Sequence, residues 1–398
     1  MRVLISGAGI AGPTLAFWLA RYGFEVTIVE VAPELRRGGY IIDFWGGGYD
    51  IVERMNLLAE VRRRGYMVRE VRVVGRDGRR VAGFSAESFG DITHGRFISL
   101  PRGELAAAIF NSIEKQVESI FADAVESIEQ SDKSVRVLLK SGARREFDLV
   151  IGADGLHSRT RALIFGEAAR FEKYLGYKVA AFEVCGYRPR DELVYVMYTQ
   201  VGQQVARFAL NEDRTMFLFT FADKGAGMPA GFSEQKDLLR KRFGTGGWEC
   251  PQILEALDRT EDLYFDRVSQ IRMAPKEGWS KGRVALVGDA AFCVSLLAGQ
   301  GSALAVMAAY VLAGELYRAN GDYRRAFVKY QELFGPFILK KQQAALRFAG
   351  TFAPKSQFAL FMRNQIMNLM GIRWIANLAF GRDLADRIAI PDYETKTT

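Results

Sequence analysis

Apolar and polar positions alternate along the chain in two rhythms. Arg2–Ser6 is a short apolar run of strand character, Leu15, Trp18 and Leu19 recur at helical spacing, and residues 25–30 are strand-like again. Between the first strand and the helix stands Gly7-Ala8-Gly9-Ile10-Ala11-Gly12. A short strand is expected at 40–44, then a glycine run at 46–48 and a helix from about Tyr49. Residues 66–84 read as a hairpin turning at 76–79, and Pro101 opens a helix that runs to about Ile113. Three strand-like stretches between 118 and 152, separated by turns at 131–133 and 141–142, predict an antiparallel meander.

The rhythm changes over 171–281. Stretches 177–185, 193–200, 203–210 and 215–221 read as strands, followed by a helical pattern at 233–258, with no alternation of strand and helix. The run from Thr215 to Phe221 is apolar on both parities, which predicts a central strand covered on both faces. A buried-strand pattern returns at 283–288 and leads through a loop into a helix at 303–316. Residues 323–380 are helical in pattern. The amphipathic part, 356–380, is expected to pack on the core rather than to lie on a membrane. The whole predicts an α/β protein: a Rossmann-like domain begun by 1–170 and resumed by 282–355, a mainly β substrate domain inserted at 171–281, and C-terminal helices over 356–398.

Strand, glycine turn, helix and strand in that order are the context that gives a GxGxxG run its meaning. Gly7 allows the tight turn, Gly9 lets the backbone approach a pyrophosphate, and Gly12 lets helix and strand pack closely. The helix N-terminus offers free N–H groups to phosphates. Glu30 ends the second strand, where a carboxylate accepts hydrogen bonds from a ribose diol and disfavours a 2′-phosphate. The bound dinucleotide is therefore expected to be FAD or NAD rather than NADP. The net charge of +8 suits dinucleotide phosphates, and no helix–turn–helix, zinc or RNP pattern points to nucleic acid. Three cysteines without CxxC spacing and only two histidines argue against disulfides, zinc or any other metal. The chain enters its first strand at once and has no apolar run of membrane-spanning length. A cytoplasmic monomer or homodimer is expected.

Two further motifs follow the first. Gly152-Ala153-Asp154-Gly155 and Gly288-Asp289-Ala290-Ala291 each close a buried strand, and Gly299-Gln300-Gly301 follows the latter. In this order and spacing the three resemble the class A FAD-dependent aromatic hydroxylases, the family of p-hydroxybenzoate hydroxylase and the tetracycline-modifying flavin monooxygenases. The resemblance covers about residues 1–165 and 282–316 and implies the GR2-type FAD-binding fold. It implies that Gly7, Gly9, Ile10, Ala11 and Gly12 cradle the cofactor and that Glu30 holds the adenosine ribose. Asp154 would order the pyrophosphate region, and Gly288 and Asp289 would meet the ribityl chain. Gly299, Gln300, Gly301, Ser302 and Ala303 would run beneath the isoalloxazine, where a helix N-terminus stabilises the reduced ring. Arg102 resembles an arginine that touches flavin or phosphate, Asp43 an acid near the flavin, and Arg37 an arginine after the ribose-binding acid.

The activity so implied is that of a monooxygenase. NADPH or NADH reduces FAD, O2 forms a C4a-hydroperoxide, and one oxygen passes to an aromatic or polycyclic, polyketide-like substrate. The catalysis is flavin-driven, with Arg207 and Gln203, which share a parity on a pocket strand, as the residues expected to orient a polar substrate. Glycines at 38–39 and 46–48 are expected to leave room for a moving flavin. One departure stands out, because Phe292, Cys293, Val294 and Ser295 replace the histidine and prolines that relatives carry after the GD motif. Cys293 is expected to be a packed thiol there rather than a reactive one. A flavin-dependent reductase of an unsaturated substrate and a non-catalytic FAD-binding partner protein are the alternatives. A flavin halogenase is disfavoured by the absence of a WxWxIP stretch.

Overall fold

Strand Arg2–Ser6 lies inside a six-stranded sheet whose order is Ser280–Lys281, Val284–Leu286, Leu149–Gly152, Arg2–Ser6, Glu25–Val29 and Glu118–Ile120. All neighbours but the first pair are parallel. The computed structural model describes residues 1–36, 38–86, 93, 95–370 and 388–394. The apolar run of the first strand follows from its place: Val3 and Ile5 join the core beneath helices Ala11–Arg21 and Gly301–Arg318, and Leu4 packs on the opposite face with Val125, Val135 and Val137. A strand covered on both faces needs side chains without polar atoms at both parities. Trp18 and Tyr310 fix the two helices against each other with ring centroids 4.7 Å apart.

The expected meander is present but shorter than its pattern. Its strands are Val125–Gln130, Val135–Leu139 and Arg144–Phe147. The outer ends of the stretch, Glu118–Ile120 and Leu149–Gly152, have left it for the parallel sheet. Two local breaks cause this: Ala122 takes a positive φ of 57°, and the Asp148 carboxylate accepts the Arg2 N–H at 2.6 Å. The helical pattern at 233–258 is likewise two helices, Phe232–Phe243 and Cys250–Arg259.

The second sheet has seven strands in the order Tyr264–Ile271, Glu172–Cys185, Arg214–Ala222, Gln203–Ala209, Val194–Gln200, Glu70–Val74 and Arg80–Ser85. Arg214–Ala222 is an interior strand, as its apolar character on both parities predicts. Phe217, Phe219 and Phe221 pack under the two helices, while Met216 and Leu218 face the other way. The hairpin 66–84 forms as expected, yet it pairs with this sheet, Glu70–Val74 running parallel to Val194–Gln200. The strand Tyr264–Ile271 was not legible in the alternation. Helix Tyr323–Phe352 follows Gly301–Arg318, and helix Gln357–Leu369 lies on the hairpin, where Met367 and Met370 pack with Val73, Ala82 and Phe84. Among the described residues no helix is long and apolar enough to cross a membrane.

Candidate functional site

The first glycine turn is compact enough to demand its glycines. Gly7 has φ +110° and donates its N–H to Val29 O at 2.7 Å, and a Cβ on Gly12 would lie 2.0 Å from Gly7 O. Gly9 faces open space except for Arg102, whose Nη2 would be 3.5 Å from a Cβ there, so the Arg102 guanidinium stands over the turn. Glu30 accepts the Ala8 N–H at 2.7 Å and the Ala32 N–H at 3.0 Å. This ties the turn to the end of the second strand.

The DG and GD motifs are laced together beneath the groove. Asp154 accepts from Ser158 Oγ and, at 2.8 Å each, from the Thr160 N–H and Oγ1. Ser158 in turn caps helix Arg159–Phe165 by accepting the Arg161 N–H. Arg161 is buried and donates to Ala290 O at 2.9 Å and Leu156 O at 2.8 Å. One guanidinium thus ties the GD motif to the turn that follows the DG motif.

A cavity of about 850 Å³ runs from Gly9, Ile10 and Ala11 past Arg102 and Asp289 to Gly299–Ser302, and continues under the second sheet. Burial lifts the Asp289 carboxyl above its ordinary range against the opposing charge of Arg102. Gly299 takes the left-handed φ of +65° that turns the chain into helix Gly301–Arg318, whose first residue lies beside the Asp289 carboxylate. The altered loop after the GD motif is held from behind. Gln270 Nε2 donates to Val294 O, and Gln342 Nε2 donates to Ile271 O at 2.7 Å and to Cys293 O. Cys293 is buried, its thiol near Ser269 O, and burial pushes it well above its ordinary value, which fits a packed thiol. Ser295 adopts φ +127°, a strained conformation for a residue with a side chain, and its Oγ accepts the Leu297 N–H.

Asp43 reaches this cavity from strand Ile41–Trp45. Its Oδ1 accepts from Ser99 Oγ at 2.6 Å and Tyr195 Oη at 3.3 Å. Burial raises the Asp43 carboxyl above its ordinary 3.8 despite those two bonds. The folded chain therefore holds this proton more tightly than the unfolded chain does. A cost to folding sets in as pH rises past the unfolded value and is complete above the folded one. Asp43→Asn is expected to be more stable than the native chain at about pH 7, with the gap closing at about pH 3–4. Urea unfolding at both pH values checks this, and a gap independent of pH would contradict it.

Ten of the residues expected to hold the cofactor line this cavity: Gly9, Ile10, Ala11, Asp43, Arg102, Asp289, Gly299, Gln300, Gly301 and Ser302. Gly7, Gly12, Glu30, Asp154 and Gly288 shape the turns behind it, and Ala303 borders an adjoining pocket with Gly46 and Gly47. Arg37 lies outside the described residues. Arg207 and Gln203 must be corrected. The strand lines the cavity at Arg207, but the guanidinium pairs with Asp191 at 2.6 Å and Glu249 at 3.2 Å and bonds Pro189 O, while Gln203 Nε2 donates to Gln200 Oε1 and Arg242 O. Both side chains follow the parity of Val205, which packs under the two helices. The opposite parity, Gln204, Ala206 and Phe208, lines the cavity. The glycine run 46–48 also has another use than room: a Cβ on Gly48 would lie 2.6 Å from Ala303 Cα, so these glycines let helix Gly47–Arg54 touch helix Gly301–Arg318. Tyr195, Ser99, Gln204 and Arg363 are site residues that the sequence reading missed. Gln204 stands beside Gln203 and Arg363 heads the polar run Arg363-Asn364-Gln365, so no local signal set either apart.

A glycine turn of the nucleotide-binding kind thus opens onto a cavity that continues beneath a second sheet, the architecture of a flavoprotein. The chain belongs to the FAD binding domain family, whose model matches residues 1–322, and it is an FAD-dependent monooxygenase. It is 38% identical over 350 residues to an uncharacterised protein of Mycobacterium tuberculosis, covering 85% of this chain and 91% of that one. It is 32% identical over 400 residues to a flavin-dependent monooxygenase of an unknown prokaryotic organism, covering 99% of each. Its fold matches the crystal structure of the tetracycline destructase Tet(51) with a TM-score of 0.83 and 32% identity, over 98% of this chain and 99% of that one.

Proposed function

We propose that this monooxygenase takes electrons from NADH or NADPH and places one oxygen atom of O2 on a bulky aromatic or polycyclic, polyketide-like molecule. The balance is NAD(P)H, H⁺, O2 and substrate going to NAD(P)⁺, hydroxylated substrate and water. The observation that carries the reading is the continuity of the cavity. Its nucleotide arm and its apolar chamber, walled by Phe208, Met197, Met216 and Leu218, are one space. The likeness to a tetracycline destructase supports a polycyclic substrate.

The residues present fit FAD: the cradle over Gly9 is open to a pyrophosphate, and a helix begins at Gly301 beside the lining. FAD, when bound, supplies the redox and oxygen-transfer chemistry. Arg102, over the glycine turn, would pair with phosphate or flavin, Glu30 would hold the adenosine ribose, and Asp289 would accept from ribityl hydroxyls. The start of helix Gly301–Arg318 would present N–H groups and a positive dipole end to the ring. Asp154, bound to Ser158 and Thr160, would act through the shape of its turn. The chamber's apolar walls exclude water from the reacting atoms. Asp43, with Ser99 and Tyr195, sets a hydrogen-bonded polar edge between the glycine loop and the chamber.

The test is NAD(P)H oxidation by the FAD-loaded protein, followed with O2 uptake and hydrogen peroxide release across a panel of phenols and polycyclic phenols. One compound is expected to accelerate NAD(P)H loss with matching O2 uptake and little peroxide. NAD(P)H loss without O2 uptake would replace this reading with that of a reductase.

A further inference from the structure

Helix Gln357–Leu369 meets the expectation of core packing by one face only. Met367 and Met370 turn inward, and Asn368 Oδ1 accepts the Gly83 N–H at 3.1 Å, which fixes the helix to the hairpin. The other face is apolar and open. Phe358 is 73% exposed and Phe361 56%, and Met362, Ile366 and Leu369 lie between 41% and 48%. Helical spacing puts these five on one stripe roughly 16 Å long, with Gln365 the one polar position inside it. Among the described residues no side chain covers the stripe. Two aromatic rings and three long aliphatic side chains held together in water mark a surface that meets a partner.

The distribution of charge selects that partner. From Leu333 to Arg382 the sequence holds seven lysines and arginines and no aspartate or glutamate. This stretch therefore carries +7 of the net +8, and the rest of the chain is almost neutral. Lys355, exposed, stands just before the stripe begins. A second copy of the chain on the stripe would set this positive segment against itself, and like charges across an interface oppose association. An anionic lipid bilayer matches both properties, with an apolar interior for the rings and phosphate headgroups for the cations. Among the described residues no helix is long and apolar enough to cross a membrane, so such a contact lies in the interface plane.

We propose that the outer face of helix Gln357–Leu369 is a docking surface for an anionic lipid bilayer. Phe358, Phe361 and Leu369 enter the boundary between headgroups and acyl chains, and Lys355 stays among the headgroups. Ala359, Met362 and Ile366 belong to the same helix and line the cavity, so the docked protein turns one rim of its cavity toward the lipid. The inference rests on the surface and its charge, not on the oxygen chemistry proposed for the cavity.

The test sediments the FAD-loaded protein with sucrose-filled vesicles of phosphatidylcholine, either alone or mixed with phosphatidylglycerol. The native protein is expected to bind the anionic vesicles about tenfold or more tightly than the neutral ones, with binding weakened by added salt. Phe358→Ser combined with Phe361→Ser leaves the charge unchanged and is expected to weaken binding to the anionic vesicles by about tenfold or more. Val328→Ser, at an exposed apolar residue outside the stripe, is the control and is expected to bind as the native protein does. Lys355→Glu, ahead of the helix, is expected to weaken binding by about fivefold and serves if the double variant fails to fold. Native protein left in solution by the anionic vesicles, or a folded double variant that binds them as tightly, would overturn the proposal. A native dimer in sedimentation velocity that the double variant dissolves would also overturn it, by giving the stripe to a second copy. Vesicle binding without coupled O2 uptake would leave the docking surface standing and remove the monooxygenase substrate reading alone.

Discussion

Gly12→Ala is expected to purify without flavin. The added Cβ would sit 2.0 Å from the Gly7 carbonyl oxygen and 3.4 Å from Ile5 Cγ2. The first contact is with backbone, so no rotamer relieves it, and overpacking of this kind costs about 1–3 kcal/mol even where neighbours can shift. Here the neighbour is the turn itself. Moving Gly7 away strains its N–H bond to Val29 O and its contact with Ala153, and it opens the cradle over Gly9. A loss of FAD affinity of about 100-fold or more is expected, corresponding to roughly 2.7 kcal/mol. The flavin-to-protein absorbance ratio and a calorimetric FAD titration measure it. Gly227→Ala, at a position with open space around it, is the control and is expected to stay yellow. Native FAD affinity in Gly12→Ala would contradict the close-packing account.

The second large effect is expected at Arg161. The side chain is 1% exposed, and burial lowers its pKa against the favourable charges of Asp154 and Glu172. Methionine in its place fills similar volume but strips a charged donor from Ala290 O and Leu156 O. Each such bond is worth about 1.5–3 kcal/mol, partly offset by removing a desolvated cation, so a net loss of about 2–4 kcal/mol is expected. Because these carbonyls follow Asp289 and Gly155, FAD binding should weaken together with stability. Arg161→Lys should recover only part, since one ammonium lacks the fork that spans both loops. The urea midpoint and the FAD dissociation constant are the readouts. Native values of both in Arg161→Met would show that the two motifs hold their geometry without the clamp.

The nucleotide half of the site was legible because local chemistry dictates it. A tight turn, a close helix–strand approach and an acid at a strand end each require one residue type, so Gly7, Gly12 and Glu30 could be read without knowing their neighbours. Asp289 and Gly299–Ser302 follow the same logic at a second strand end. The chamber was not legible in this way. Strand Gln203–Ala209 lies inside the sheet with both faces buried, so polarity could not say which parity meets the cavity, and Arg207 was placed on the wrong one. Arg207 is instead a buried cation whose partners, Asp191 and Glu249, come from a loop and a helix start. The strand Glu118–Ile120 was read as meander because three residues with a single apolar side chain are compatible with either sheet, and a parallel partner 91 residues away, Thr27 bonding Glu118, decides between them.

By itself the sequence determined the glycine turn and the acid that ties it to the second strand, and its three motifs in order carried the resemblance to flavin monooxygenases. Those features depend on backbone sterics and on residues close in the chain. Only the tertiary structure decided which residues face the cavity. Register places Gln204 opposite Thr199, helix packing lowers Arg363 onto both, and burial changes what Asp43 and Arg161 cost and do. Side-chain direction in an interior strand, and the solvation of a charge, are set by neighbours distant in sequence, and no local pattern encodes them.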